Sequence, residues 1–270
     1  METAAFVGKT MNYFVEGLQG SGKSTLVRKL SMLHPGYRAI EEGEYSLIEL
    51  AWCAYMDETA YGEMLKRYPD MRKQIEEKTY TEGNRKIVCY TKIPTDRREF
   101  YQDLERYEIY NGRVSYEDFR DIILSRFQAW NQDEMIFECS LFQNIVEDMI
   151  LFRCALDDEI IDFYRLIEKT LKDKDYHIFY PKTEEIENNL DVIRKERTDS
   201  NGNELWYPLM LGFFNESPYA KEKGLNGEEA MIEHFRHRQD LELRICEEVF
   251  TGRYTVIRSK GYSDADLKMR

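Results

Sequence analysis

Residues 16–25 read EGLQGSGKST, directly after the apolar run Tyr13-Phe14-Val15. Glycine gives up more backbone freedom on folding than any other residue, so three so close together need a compensating role. Gly17, Gly22, Lys23 and Ser24 satisfy the spacing G-x-x-x-x-G-K-[ST]. The flanks fit the same reading. Met11–Glu16 (MNYFVE) reads as a short buried strand, and Thr25–Leu33 (TLVRKLSML) carries apolar residues at helical spacing. A strand, a glycine loop and a helix N-terminus together form a cradle for phosphate. The glycines let backbone amides turn inward, and the helix dipole adds positive potential. The motif predicts that Gly17, Gly20, Ser21, Gly22, Lys23, Ser24 and Thr25 hold the phosphates of ATP. Lys23 is expected on the β- and γ-phosphates and the Ser24 hydroxyl on Mg²⁺.

The rest of the chain alternates strands and helices. Strand patterns fall at 37–42, 85–93, 134–139 (EMIFEC), 176–180 (YHIFY) and 254–258 (YTVIR). Helical patterns fall at 46–78, 96–130, 141–156, 184–197 and 227–249. Alternation of this kind predicts an α/β fold, a parallel sheet covered by helices on both faces, as one domain over residues 1–270. The aromatic stretch 46–130 is expected as a helical acceptor cap. Residues 194–227, long and mixed from 198 onward, are expected as a lid. Phe100, Tyr101, Tyr107, Tyr110, Tyr116, Phe119, Phe127 and Trp130 suit either a core or a stacking pocket. Residues 1–10 precede the first strand as a short extension.

Ligands on such sheets lie at the carboxyl ends of the strands. There the sequence offers Glu138 for Mg²⁺, a metal that prefers oxygen ligands. Glu42 is expected to accept the proton of an attacking hydroxyl, with Glu41 and Glu44 as neighbours that could do the same. Arg194, Lys195 and Arg197 end a helix, where mobile cations could meet the charge of a transferring phosphoryl group. A helix C-terminus also favours cations for its own sake. His234 and His237 stand three apart with no aligned carboxylate, which suits packing better than a metal.

The net charge of −13 argues against a nucleic-acid partner. No stretch approaches the roughly 20 apolar residues of a membrane span, and the N-terminus has no signal-peptide pattern. The five cysteines, odd in number and scattered, suit reduced thiols in a cytoplasmic protein. A homodimer is compatible with the sequence, which does not fix the oligomeric state.

VEGLQGSGKST resembles the opening of the deoxynucleoside kinase and thymidylate kinase group of P-loop kinases, including the acidic residue before the loop, here Glu16. FECS at 137–140 resembles that group's strand end, and helix 184–197 resembles the helix leading into its lid. Glu41-Glu42 stands where the nucleoside kinases carry a catalytic Glu. The resemblance implies a P-loop kinase that moves the ATP γ-phosphoryl group to a small-molecule acceptor, a nucleoside or nucleotide foremost. Three departures leave the acceptor open: Cys139 replaces the group's Arg, Gly43 replaces the Pro of its Glu-Pro pair, and the thymidylate kinases' Asp-Arg-Tyr/Phe is absent. An antibiotic-type O-phosphotransferase on the same scaffold is one alternative. A regulatory ATPase acting through a protein partner is another.

Overall fold

A computed structural model describes residues 11–198 and 202–267. In chain order the elements are β1 (Asn12–Val15), α1 (Lys23–Leu33), β2 (Arg38–Ile40), β3 (Ala54–Asp57), α2 (Glu58–Arg67) and α3 (Arg72–Glu77). Next come β4 (Thr79–Glu82), β5 (Arg85–Val88), α4 (Arg98–Leu104), α5 (Tyr116–Ala129), β6 (Met135–Glu138), α6 (Gln143–Leu151) and α7 (Asp157–Leu171). The chain continues through β7 (Tyr176–Lys182), α8 (Ile186–Glu196), α9 (Trp206–Glu216), α10 (Pro218–Lys223), α11 (Gly227–Glu248) and β8 (Tyr254–Arg258). The expected extension at 1–10 lies outside the described residues.

Five strands form one parallel sheet in the order β2-β6-β1-β7-β8. Its strands are apolar on both faces, as a sheet covered twice requires. Tyr13, Val15, Ile136 and Phe179 pack with Leu26, Val27 and Leu30 of α1. Phe14, Phe137, Ile178 and Tyr180, their neighbours one residue along, pack into the larger core with α5, α6, α7 and α11. The one polar residue in β1, Asn12, is fully satisfied. Its amide donates to the Asp175 carbonyl at 3.1 Å and accepts from the Met135 amide at 3.0 Å, pinning β1 to both neighbours.

The segment 46–130 is helical only in part: α2–α5 lie in it, and the strand expected at 85–93 appears as β5. Residues 46–53 form loops and bends, and β3, β5 and β4 form a separate antiparallel sheet. The hairpin between β4 and β5 turns on Gly83-Asn84, with Gly83 at φ 56°. This sheet and α2–α4 share a core of their own, around Met56, Leu65, Tyr68, Val88, Phe100 and Leu104. The helical pattern at 141–156 resolves into α6 and, after a break at Cys154 (φ 50°), the start of α7. Glu159 caps that second helix by accepting from the Leu156 amide at 2.8 Å. Among the described residues no helix is long and apolar enough to cross a membrane.

The helices α1 and α6 leave β1 and β6 toward opposite sides of the sheet, since β1 leads to β2 and β6 leads to β7. A crevice therefore opens at the carboxyl ends of these adjacent strands. Beneath it Trp130, fully buried, meets Phe14 and Phe137 edge-on at centroid distances of 5.8 and 5.4 Å. Trp130→Ala is expected to lower unfolding free energy by about 3–5 kcal/mol, measured by denaturant titration.

Candidate functional site

The chain leaving β1 must reverse at once and enter α1, and the glycines permit this. Gly17, Gly20 and Gly22 have φ of 133°, 75° and 90°, where side chains are strained. Two of them are also sterically confined. A Cβ on Gly17 would lie 3.3 Å from the Pro181 carbonyl oxygen, and one on Gly20 would lie 3.0 Å from that of Asn189. The loop thus runs hard against β7 and α8. Its far side is held by Ser259, whose hydroxyl donates to the Ser21 carbonyl at 2.8 Å. Gly22 caps α1, whose first turn carries no acidic side chain.

Lys23 folds back into this loop. Its buried ammonium donates to the Gly17 carbonyl at 2.9 Å and the Leu18 carbonyl at 2.8 Å. Ser24 reaches the next strand, its hydroxyl donating to Glu138 Oε1 at 2.6 Å. Burial raises the Glu138 carboxyl above its ordinary range, with Glu42 and Glu41 adding repulsion and Ser24 and Lys23 opposing it. Of the seven loop residues named from the motif, Gly20, Gly22, Lys23, Ser24 and Thr25 line the adjoining cavity. Gly17 and Ser21 do not. Gly17 supplies a carbonyl to Lys23 from beneath, and the Ser21 side chain is fully buried with its hydroxyl unpaired.

Of the three candidate carboxylates after β2, Glu42 has the fixed position. Its Oε1 accepts from Trp52 Nε1 at 2.9 Å and from Gln143 Nε2 at 2.8 Å. Glu41 also lines the cavity but is exposed, and Glu44 is spent on the Glu41 amide at 3.0 Å. The register continues from Ile40 opposite Phe137, so the turn after β2 sits beside Glu138. The sheet order therefore brings the glycine loop, Glu138 and Glu42 into one row.

The basic end of α8 divides. Arg197 lines the cavity, its guanidinium over the Trp206 ring at 5.1 Å. Arg194 does not line it. It lies over Tyr207 at 3.8 Å and donates to Glu228 Oε2 at 2.8 Å, so it ties α8 to α9 and α11. Lys195 is exposed. The lid candidate resolves, where described, into α9 and α10, with Trp206, Leu209, Met210 and Phe213 of α9 on the cavity. His234 and His237 have separate partners, Glu147 at 3.4 Å and Asp157 at 2.8 Å. Of the aromatic stretch, Phe100, Phe119, Phe127 and Trp130 are core, while Tyr110 faces the cavity. All five cysteines are free, although the Cys53 and Cys89 sulfurs stand 3.6 Å apart across β3 and β5.

Three buried groups support the site; the sequence points to Glu16 but not to Arg238 or Glu49. Arg238 of α11 is fully buried and donates to Glu147 Oε2 at 2.5 Å and to Gln19 Oε1 at 2.8 Å, inside the glycine loop. Burial opposes the Glu147 charge, yet Arg238 and His234 outweigh it and hold the carboxyl down at about 2. Glu49 accepts from the Leu50 and Ala51 amides and from Tyr110 at 2.7 Å, and burial still pushes it up to about 7. Glu16 accepts from the amides of Leu141 (2.7 Å), Phe142 (3.0 Å) and Gln143 (3.4 Å), where α6 begins. For Arg238 the hint in the sequence is its i, i+4 partner Glu242, set among Phe235, Leu241 and Ile245 on the buried face of α11.

The glycine loop, Glu42, Glu138, Arg197 and α9 surround a cavity of about 1220 Å³. Cations mark one end, from the loop, α1 and the tail after β8: Lys23, Arg28, Lys29 and Lys260. Compared with models of known families and with curated proteins, the sequence matches none.

Burial pushes the Glu16 carboxyl from 4.5 up to about 8, against the pull of its backbone donors. Folded Glu16 therefore keeps a proton that the unfolded chain releases, and this contribution to stability falls as pH rises through that window. Glu16→Gln is expected to flatten the decline between pH 4.5 and 8, read from denaturation midpoints across that range.

Proposed function

We propose that this chain is a phosphotransferase that moves the γ-phosphoryl group of ATP to a hydroxyl of a small molecule. The observation that carries this reading is the pairing of Ser24 with Glu138 at 2.6 Å beside the loop-bound Lys23, with Glu42 along the same cavity. The loop resembles those of P-loop kinases, and the fold is compatible with theirs.

The parts fit Mg²⁺. Ser24 and Glu138 offer two oxygen ligands, a hydroxyl and a carboxylate, and this metal leaves its remaining positions to phosphate and water. Among the described residues no three His, Cys, Asp or Glu side chains cluster as a protein-only cage. Bound there, the metal would neutralise charge on the β- and γ-phosphates. The loop amides would hold phosphate oxygens. Lys23, now satisfied by two carbonyls, would exchange them for the β- and γ-phosphates.

The transfer breaks the bond between the γ-phosphorus and the ADP oxygen and forms one to the acceptor oxygen. Glu42 takes the acceptor's proton. Trp52 and Gln143 both donate to Oε1, which fixes the carboxylate plane and leaves Oε2 for that proton. Arg197 is the lid cation placed to meet charge on the transferring group. Arg194, engaged by Glu228 and Tyr207, holds the end of α8.

The test is ADP release by purified protein with Mg·ATP and a panel of hydroxyl compounds. Lys23→Ala is expected to lower turnover by about 10²–10³-fold or more. Glu42→Gln is expected to lower kcat by about 10²–10⁴-fold without changing ATP affinity. Unchanged turnover in Lys23→Ala overturns the reading.

A further inference from the structure

The walls of the cavity differ in charge from one end to the other. Lys23, Arg28, Lys29 and Lys260 line the glycine-loop end. The wall formed by residues 105–113 and α6 carries carboxylates: Glu105, Glu108, Glu147 and Asp148. Among the described residues there, Arg113 is the cation on the wall, and it is bonded to Glu105 at 3.0 Å. Glu147 and Asp148 are matched from behind by Arg238 and Arg153, both at 2.5 Å. Glu108 has only uncharged donors, Tyr90 and Asn111 at 2.5 and 3.3 Å. Arg197, over Trp206 on the same cavity, is the cation assigned above to the transferring group, so a phosphate on the acceptor would be left to sit against carboxylates.

Carboxylates alone would be only an acidic wall. Here they share one cavity with the loop that would hold the donor, and aromatic side chains line it too: Trp52, Tyr90, Tyr110, Trp206 and Phe213. Aromatic faces bind ammonium groups, and desolvated carboxylates bind them more strongly still.

We propose, resting on the phosphotransferase reading, that the acceptor is a hydroxyl compound bearing amine cations and no phosphate, recognised by Glu108 and its neighbouring carboxylates and aromatic rings. Burial pushes the Glu108 carboxyl up to about 7, with Glu105 and Glu49 adding to the rise and Arg113 and Tyr90 opposing it. An ammonium group in contact would bring it back toward the ionised form.

The test is calorimetric titration of the full chain with kanamycin and glucosamine as amine-bearing probes, and with deoxycytidine and deoxycytidine monophosphate as neutral and anionic ones. Wild type, Glu108→Gln and Glu105→Gln are compared, with affinity for a non-hydrolysable Mg·ATP analogue as the check on folding. Kanamycin is expected to bind about tenfold or more tighter than either deoxycytidine compound. Glu108→Gln is expected to weaken kanamycin by about tenfold and to leave the analogue unchanged. Raising salt from about 50 to about 200 mM is expected to weaken it further. Deoxycytidine or its monophosphate binding as tightly as kanamycin overturns the proposal. So does absence of kanamycin binding, or binding that both variants leave intact. Failure of the analogue to bind wild type overturns phosphoryl transfer itself, and this is read separately from the charge preference.

Discussion

The buried carboxyl of Glu16 is the junction on which the carboxyl edge of the sheet depends. It ends β1, the central strand, and receives the first amides of α6, the helix that follows β6. One side chain thereby fixes the glycine loop relative to the Glu138 turn and supplies acceptors for amides that a helix start leaves unpaired. Without a group of this kind the crevice between β1 and β6 would have no set width, and Ser24 would have no fixed carboxylate to meet. From the other side Arg238 does similar work, joining Gln19 of the loop to Glu147 of α6. The candidate site is thus held between two buried polar groups, the Glu16 carboxyl and the Arg238 guanidinium. Each is satisfied by partners from distant parts of the chain, as burial of polar groups demands.

What the sequence made legible was local. Gly17, Gly20, Gly22, Lys23 and Ser24 announce their loop because backbone freedom, an ammonium and a hydroxyl are needed within a few positions. Glu138 was legible because it closes an apolar strand. The five parallel strands were legible because strands buried on both faces read as apolar runs. Arg238, by contrast, meets partners 91 and 219 residues away, and no window of sequence contains that pairing. Arg194 and Arg197 look equivalent in sequence, three residues apart on a helix end. Only the packing of Tyr207 and Glu228 separates the one that faces the cleft from the one that does not.

Within the antiparallel sheet β5 falls in the strand pattern at 85–93, but β3 and β4 were hidden for a different reason. Its strands are four residues each, and two of them carry charged or polar side chains on the solvent side. A period of two cannot be seen in so short a run when helices flank it. The Gly83-Asn84 turn was the readable signal, a two-residue link between segments that pair residue for residue from Glu82 and Arg85 outward.

One face of that sheet has a core of its own, while Ile87, Cys53 and Cys89 on the other side join the main core. Polar contacts add to the attachment: Tyr45 donates to Glu82 at 2.7 Å, while Arg126 of α5 bonds both Glu82 and the Ser46 carbonyl. The residues it lends to the cavity, Tyr90 among them, are then supported by an interior in which the glycine loop has no share. On the proposed phosphotransferase reading, the wall facing the acceptor would take its shape from this module's interior, while the glycine loop draws its own support from β7 and α8.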